Sequence, residues 1–139
     1  MAVRRPILLC LPASTSLAEA QTPQNLPSGA KILSGKEVGQ LLVGATMLGP
    51  IYTDGAPVTT TYLANGMFRQ GSYGVVYTTI EGKYRIVEGG ICEEYHGRQG
   101  CSYIARSIGG QPLLAWLPRD RDRKWTWTPF KVSRERPAG

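Results

Sequence analysis

From residue 46 onward the chain is cut into short pieces by glycine-bearing turn signals, and this punctuation constrains the fold more than any other feature. Asp54-Gly55, Asn65-Gly66, Glu81-Gly82, Gly89-Gly90 and Gly109-Gly110 separate runs rich in Thr, Tyr, Val and Ile. Such runs favour strands, because β-branched and aromatic side chains suit a pleated, half-buried surface. Asn65-Gly66 is expected to form a two-residue hairpin turn. The other pairs are read as turns closing the strands 46–52, 58–63, 67–70, 74–80, 83–87, 91–95, 101–108 and 112–117, with a last strand over 124–132 broken near Pro129. Strands joined by such short connections pair antiparallel with their neighbours, and closing the meander removes its exposed edges. The expectation is an all-β fold, a small antiparallel lipocalin-like barrel or curved meander of about eight strands.

One helix is expected ahead of the strands. Ser34 with Glu37 three residues later has capping-box spacing. Ile32, Val38, Leu41 and Leu42 fall on one helical face, and Gly44 ends the pattern. Gly39 inside it costs about 1 kcal/mol relative to Ala, so the helix depends on packing.

The N-terminus reads as a secretion signal. Arg4 and Arg5 precede a mostly apolar, uncharged stretch, and Ala18-Glu19-Ala20 offers small residues for cleavage before Gln21. The stretch is shorter than the roughly 20 apolar residues needed to span a bilayer. The expected division is a signal peptide over 1–20, a disordered Pro/Ser/Gln-rich leader over 21–30, one domain over 31–132, and a basic tail over 133–139. The location is then periplasmic or secreted.

Cys10 leaves with such a signal. Cys92 and Cys101 remain, and two cysteines allow one intramolecular pairing. A disulfide closing about ten residues is the expected state, with Cα atoms about 4.4–6.8 Å apart. The competing reading is a metal site from Cys92, Glu93, Glu94, His96 and Cys101. The cysteines lack the close spacing of zinc modules and form no C-x-x-C. No metal and no cofactor is expected.

Part of this pattern resembles a known group. Residues 32–42, Ile-Leu-Ser-Gly-Lys-Glu-Val-Gly-Gln-Leu-Leu, are followed by Tyr62-Leu63-Ala64-Asn65-Gly66-Met67-Phe68, then Gly82-Lys83-Tyr84-Arg85-Ile86, Gly90-Ile91-Cys92-Glu93 and Cys101-Ser102-Tyr103. In this order they resemble small secreted proteobacterial proteins of unknown function built as lipocalin-like barrels. The resemblance covers residues 32–117 and implies fold and compartment. It implies no activity.

Catalytic arrangements are sparse. His96 is the only histidine, G-x-S-x-G is absent, and Glu93 and Glu94, adjacent on a strand, point to opposite faces. The chain is therefore read as a binding protein and not an enzyme. Without Arg4, Arg5 and Glu19 it keeps fourteen basic and nine acidic residues, the excess lying toward the C-terminus. Trp125 and Trp127, on one strand face, stand beside Lys124, Lys131, Arg134 and Arg136 as a candidate ligand or surface site. Aromatic residues on nearly every strand fit a filled core or an aromatic-lined cavity for a small apolar or amphipathic ligand. The leading partner is such a ligand or an envelope protein. A secreted inhibitor or interaction module working through loops is the alternative. An anionic membrane surface fits the same basic segment. Stacking on nucleic acid fits it chemically but not by compartment. Oligomeric state is not readable.

Overall fold

The Ser34 hydroxyl accepts the Glu37 amide (3.2 Å), and the Glu37 carboxylate accepts the Ser34 amide (3.1 Å), closing the expected capping box. It starts helix α1, Gly35–Leu42. Val38 and Leu42 on its inner face are fully buried. Gly44, at φ +79°, takes the left-handed conformation that ends the helix. In this computed structural model, residues 23–51, 57–72, 78–116 and 125–134 are described. The expected signal and cleavage site lie outside these residues.

Among the described residues, ten strands form one antiparallel sheet: β1 (Lys31–Ile32), β2 (Thr46–Ile51), β3 (Pro57–Tyr62), β4 (Met67–Ser72), β5 (Thr78–Val87), β6 (Gly90–Tyr95), β7 (Arg98–Arg106), β8 (Pro112–Trp116), β9 (Thr128–Pro129) and β10 (Lys131–Ser133). β2 through β8 pair in sequence as a meander. β9 then pairs with β8 and β10 with β2, so one stretch of chain bridges the two edges of the meander. Phe130, between them, is buried and donates its amide to Pro112 O (3.1 Å). Its neighbour Gly49 lies at an irregularity in the β2–β3 register between Leu48 and Ile51, where the strand bends. The sheet is thereby nearly closed into an all-β barrel. β1 extends the β6 side of β7, pairing Ile32 with Ala105.

Two turns differ from expectation. Leu63 N–H bonds Met67 O (2.8 Å), so Ala64, Asn65 and Gly66 make a three-residue turn, not a two-residue one. Only Gly66 has positive φ, +86°, and the Asn65 carboxamide caps the Met67 amide at 3.0 Å. A type I turn followed by a left-handed glycine uses Asn-Gly as readily as the two-residue form does. Glu81-Gly82 is no turn at all but the middle of β5. There β5 runs so close to β6 and to Phe68 that a Cβ on Gly82 would collide with Glu94 O and lie 2.7 Å from Phe68 Cε1. The glycine marks close approach, not chain reversal.

The side chains divide into two apolar layers. Tyr62, Phe68, Ile91, Ile104 and Leu114 fill the barrel interior with Val38 and Leu42 from the helix. Val87, Cys92, Tyr103, Ala115 and Trp125 form a second cluster on the outer side of β5–β8. Residues 24 and 25, in the stretch expected to be a disordered leader, are tied to this outer layer. Trp127 Nε1 donates to Gln24 O (2.9 Å), and Asn25 Nδ2 donates to Trp125 O (3.3 Å).

Candidate functional site

Strand alternation decides which polar side chains enter the barrel. On β6, Ile91, Glu93 and Tyr95 face inward, while Cys92 belongs to the outer cluster and Glu94 is exposed. The two adjacent glutamates separate as expected. Helix α1 closes one end of the barrel, packing on β5 and β6, and its Gly35 amide donates to Glu88 Oε2 (3.2 Å). The other end carries the β6–β7 turn, the end of β2 and the start of β3.

Near that second end lies a cavity of about 70 Å³. Its polar lining is Gln70, Glu93 and Ser102. Its apolar lining is Met47, Gly49, Val58, Leu114 and Trp116. Trp116 ends β8 and keeps 44% of its surface exposed, large for an aromatic residue. Among the described residues, large side chains occupy much of the interior. Tyr62 and Phe68 are essentially inaccessible, and Tyr62 meets Tyr84 edge-on with ring centroids 5.0 Å apart. Sites for drug-sized ligands run to roughly 300–1,000 Å³, so this cavity admits a group of a few heavy atoms and not a lipid chain.

Glu93 dominates the electrostatics. Tyr62 O–H donates to its Oε1 at 2.5 Å. Burial raises the carboxyl above its ordinary range, and the Tyr62 hydrogen bond pulls the opposite way with lesser effect. Tyr84, opposite Glu93 in the β5–β6 register, directs its hydroxyl to Leu63 O (2.5 Å), and burial raises that phenol too. Gln70 Nε2 donates to the buried Thr60 Oγ1 (3.4 Å).

Cys92 and Cys101 are disulfide-bonded, directly opposite in the β6–β7 ladder. Their Cα atoms are 4.1 Å apart, slightly closer than expected. Ile104 N–H to Gly89 O fixes the alternation of the ladder and makes Cys92–Cys101 a pair without mutual hydrogen bonds, the closer kind, about 4.5 Å. The loop expected between the cysteines is mostly ladder. Only His96 and Gly97 turn, both at positive φ, +48° and +73°. The five residues weighed as a metal site are therefore divided: Glu93 inside, the Cys92–Cys101 disulfide outside, Glu94 exposed and His96 at the turn.

The candidate surface site is also divided. Trp125 is buried against Tyr103 on the outer face (centroids 5.5 Å), and Trp127 is partly covered beside it. Residues 125–127 lie just before β9 and not within a strand. Lys131 is exposed on β10. Arg134 reaches back to α1, donating to Val43 O (3.3 Å) and Gln40 O. Lys124 and Arg136 lie outside the described residues. The sequence reading passed over Gln70, Ser102 and Tyr62. The available signal was the inward parity of Glu93, set by its place between Ile91 and Tyr95.

Comparison with family models, curated proteins and solved structures returned no match.

Proposed function

We propose that this chain is a non-enzymatic binding protein of an oxidising, extracytoplasmic compartment, exported by residues 1–20, and that it engages its partner at the barrel end opposite α1. The carrying observation is the interior itself. Among the described residues it is packed largely with the protein's own side chains, and a small cavity lined by Glu93 lies beside an exposed Trp116. A small polar group fits that space, whereas the amphipathic ligand of a hollow lipocalin does not. The disulfide is compatible with the compartment. Resemblance to small secreted proteobacterial barrels supports the same reading. An anionic-surface role is less favoured, because Trp125 is packed on the sheet and Arg134 is engaged by the helix.

The test is native mass spectrometry of the exported protein. The expected species begins at Gln21 and carries a bound mass that is lost on Trp116→Ala. Exported protein still starting at Met1 refutes the processing. A bare chain, or a bound mass indifferent to Trp116→Ala, refutes binding at this end.

A further inference from the structure

Among the described residues the cavity lining carries one electrostatic sign. Glu93 contributes a carboxyl group, Ser102 a hydroxyl and Gln70 an amide. The Gln70 nitrogen is used on Thr60, leaving its carbonyl oxygen to offer a ligand. Trp116 contributes an indole. Among the described residues the lining includes no Lys, Arg or His, in a chain of net charge +6. We propose that this cavity binds a primary ammonium group, with Glu93 as counter-ion, Gln70 and Ser102 as further acceptors, and Trp116 packing on the carbon attached to the nitrogen. The proposal deepens the reading of this barrel end as the binding face, and rests on it.

Size and valence select the ligand class. A cavity of about 70 Å³ holds a few water-sized groups, since roughly 10–15 Å³ of such space suffices for one water. An ammonium has three N–H donors, and the cavity offers three acceptor side chains. A guanidinium is larger and is best met by a bidentate carboxylate, but Glu93 Oε1 already accepts from Tyr62. A divalent cation such as Ca²⁺ takes six or more oxygen ligands, usually with several carboxylates. Among the described residues no group of three metal-ligating side chains exists. An indole face adds attraction for a cation. A free small amine and the tip of a lysine side chain share this chemistry. A lysine stem would lie along Trp116 with its ammonium inside.

Binding should follow Glu93 ionisation. A protonated carboxyl offers no counter-charge, while an alkylammonium stays charged well above neutrality. Among the described residues, Tyr62 from β3 and Tyr84 from β5 are titratable groups facing Glu93, and burial raises the Tyr84 phenol further above this range.

The experiment is a ¹H–¹⁵N NMR titration of the full chain with methylammonium chloride near neutral pH, with potassium chloride as the ionic-strength control. Saturable shifts are expected at the Trp116 indole, the Gln70 carboxamide and the Ser102 amide, with none from potassium. Glu93→Gln should weaken affinity at least tenfold with strand content retained by circular dichroism. Should that variant misfold, Trp116→Ala, at an exposed position, should weaken it several-fold. Binding should also weaken as pH falls through Glu93 titration. The second arm uses Nα-acetyl-lysine methylamide and its Nζ-acetylated form. Tighter binding than methylammonium, abolished by Nζ-acetylation, identifies a lysine side chain. Equal or weaker binding identifies a free amine. Absence of saturable shifts, an equal potassium response, or indifference to both substitutions overturns the proposal. If a copurifying mass is lost with Trp116→Ala but ignores Glu93→Gln and methylammonium, the ammonium assignment fails and the binding-protein reading stands. If no mass copurifies and no shift occurs, both fail.

Discussion

Tyr62 and Glu93, thirty-one residues apart, meet inside the barrel with the phenol donating to the carboxyl at 2.5 Å. The pair forms because β3 and β6 each turn alternate residues inward and the closed sheet brings those faces together. Burial makes the charged form of Glu93 costly, and the phenol offsets part of that cost.

This relationship sets a pH dependence. The folded pKa of Glu93 lies above the unfolded value, so the native state holds the proton more tightly. The associated stability is present below the unfolded pKa and is lost as pH rises through the folded one. Wild-type stability relative to Glu93→Gln should therefore fall as pH rises above about 4.5. Urea midpoints of both proteins between about pH 4 and pH 8 measure it. A difference that is flat, or that grows in favour of wild type with pH, contradicts the assignment.

Removing the donor acts on the same group. Tyr62→Phe keeps the ring and deletes the hydroxyl, so Glu93 loses the interaction favouring its charge and titrates higher. Leaving the carboxyl without its partner should cost roughly 1–3 kcal/mol at neutral pH and less in acid. The Glu93 carboxyl ¹³C shift followed against pH reads the displacement directly. No upward movement in the variant would show that the short contact does not govern the carboxyl.

Gly82 gives a steric prediction. A methyl group at this position meets Glu94 O and the Phe68 ring, and neither a paired backbone carbonyl nor a buried ring can move freely. Gly82→Ala should destabilise by roughly 1–3 kcal/mol, the usual cost of overpacking. Gly97, with nothing within 4 Å but φ +73°, should show backbone strain alone on the same substitution. Thermal melts of the two variants should place Gly82→Ala lower.

The strand-and-turn alternation was legible because side-chain period and turn chemistry are local. The capping box of α1 was legible for the same reason: Ser34 and Glu37 interact within one turn. Gly82 was misread because a glycine needed for close approach and one needed for reversal are the same letter in sequence. The site was mostly hidden. Glu93 announces its inward parity, but its meeting with Tyr62, Gln70 and Trp116 depends on barrel closure. That closure is made by an unremarkable segment, residues 128–133, with β9 on one edge and β10 on the other. Trp125 and Trp127 drew attention as a possible surface, yet they cover the outside of the sheet over the disulfide layer. Composition does not say which side of a sheet an indole will cover.

The disulfide yields a further measurement. A cross-link closing about ten residues should stabilise by about 2.7 kcal/mol in the loop-entropy model, by restricting the unfolded chain. A Cys92→Ala, Cys101→Ala double variant should lose a comparable amount and also disturb the layer holding Tyr103 and Trp125. Urea unfolding gives the loss, and near-ultraviolet circular dichroism reports the aromatic layer. Equal stability of the double variant and the oxidised protein would show that the ladder alone holds the hairpin.

Phe130 tests the closure on which the site depends. Its side chain is 2% exposed and belongs to the interior cluster, while its backbone joins the strand halves paired to β8 and β2. Phe130→Ala removes a buried ring where the sheet is knit together, and large-to-small core changes of this kind cost roughly 3–5 kcal/mol. The loss should be uneven. Amides of β10 and the facing part of β2 should exchange with solvent faster, because their shared ladder is short, while β5–β6–β7 should keep its protection. Met47 and Gly49 on β2 line the cavity, so loosening this seam should also weaken ligand binding without touching Glu93. Hydrogen exchange resolved by strand distinguishes the outcomes. Uniform loss of protection would mean that the barrel opens as one unit. Unchanged exchange in β2 and β10 would mean that Phe130 does not hold the seam.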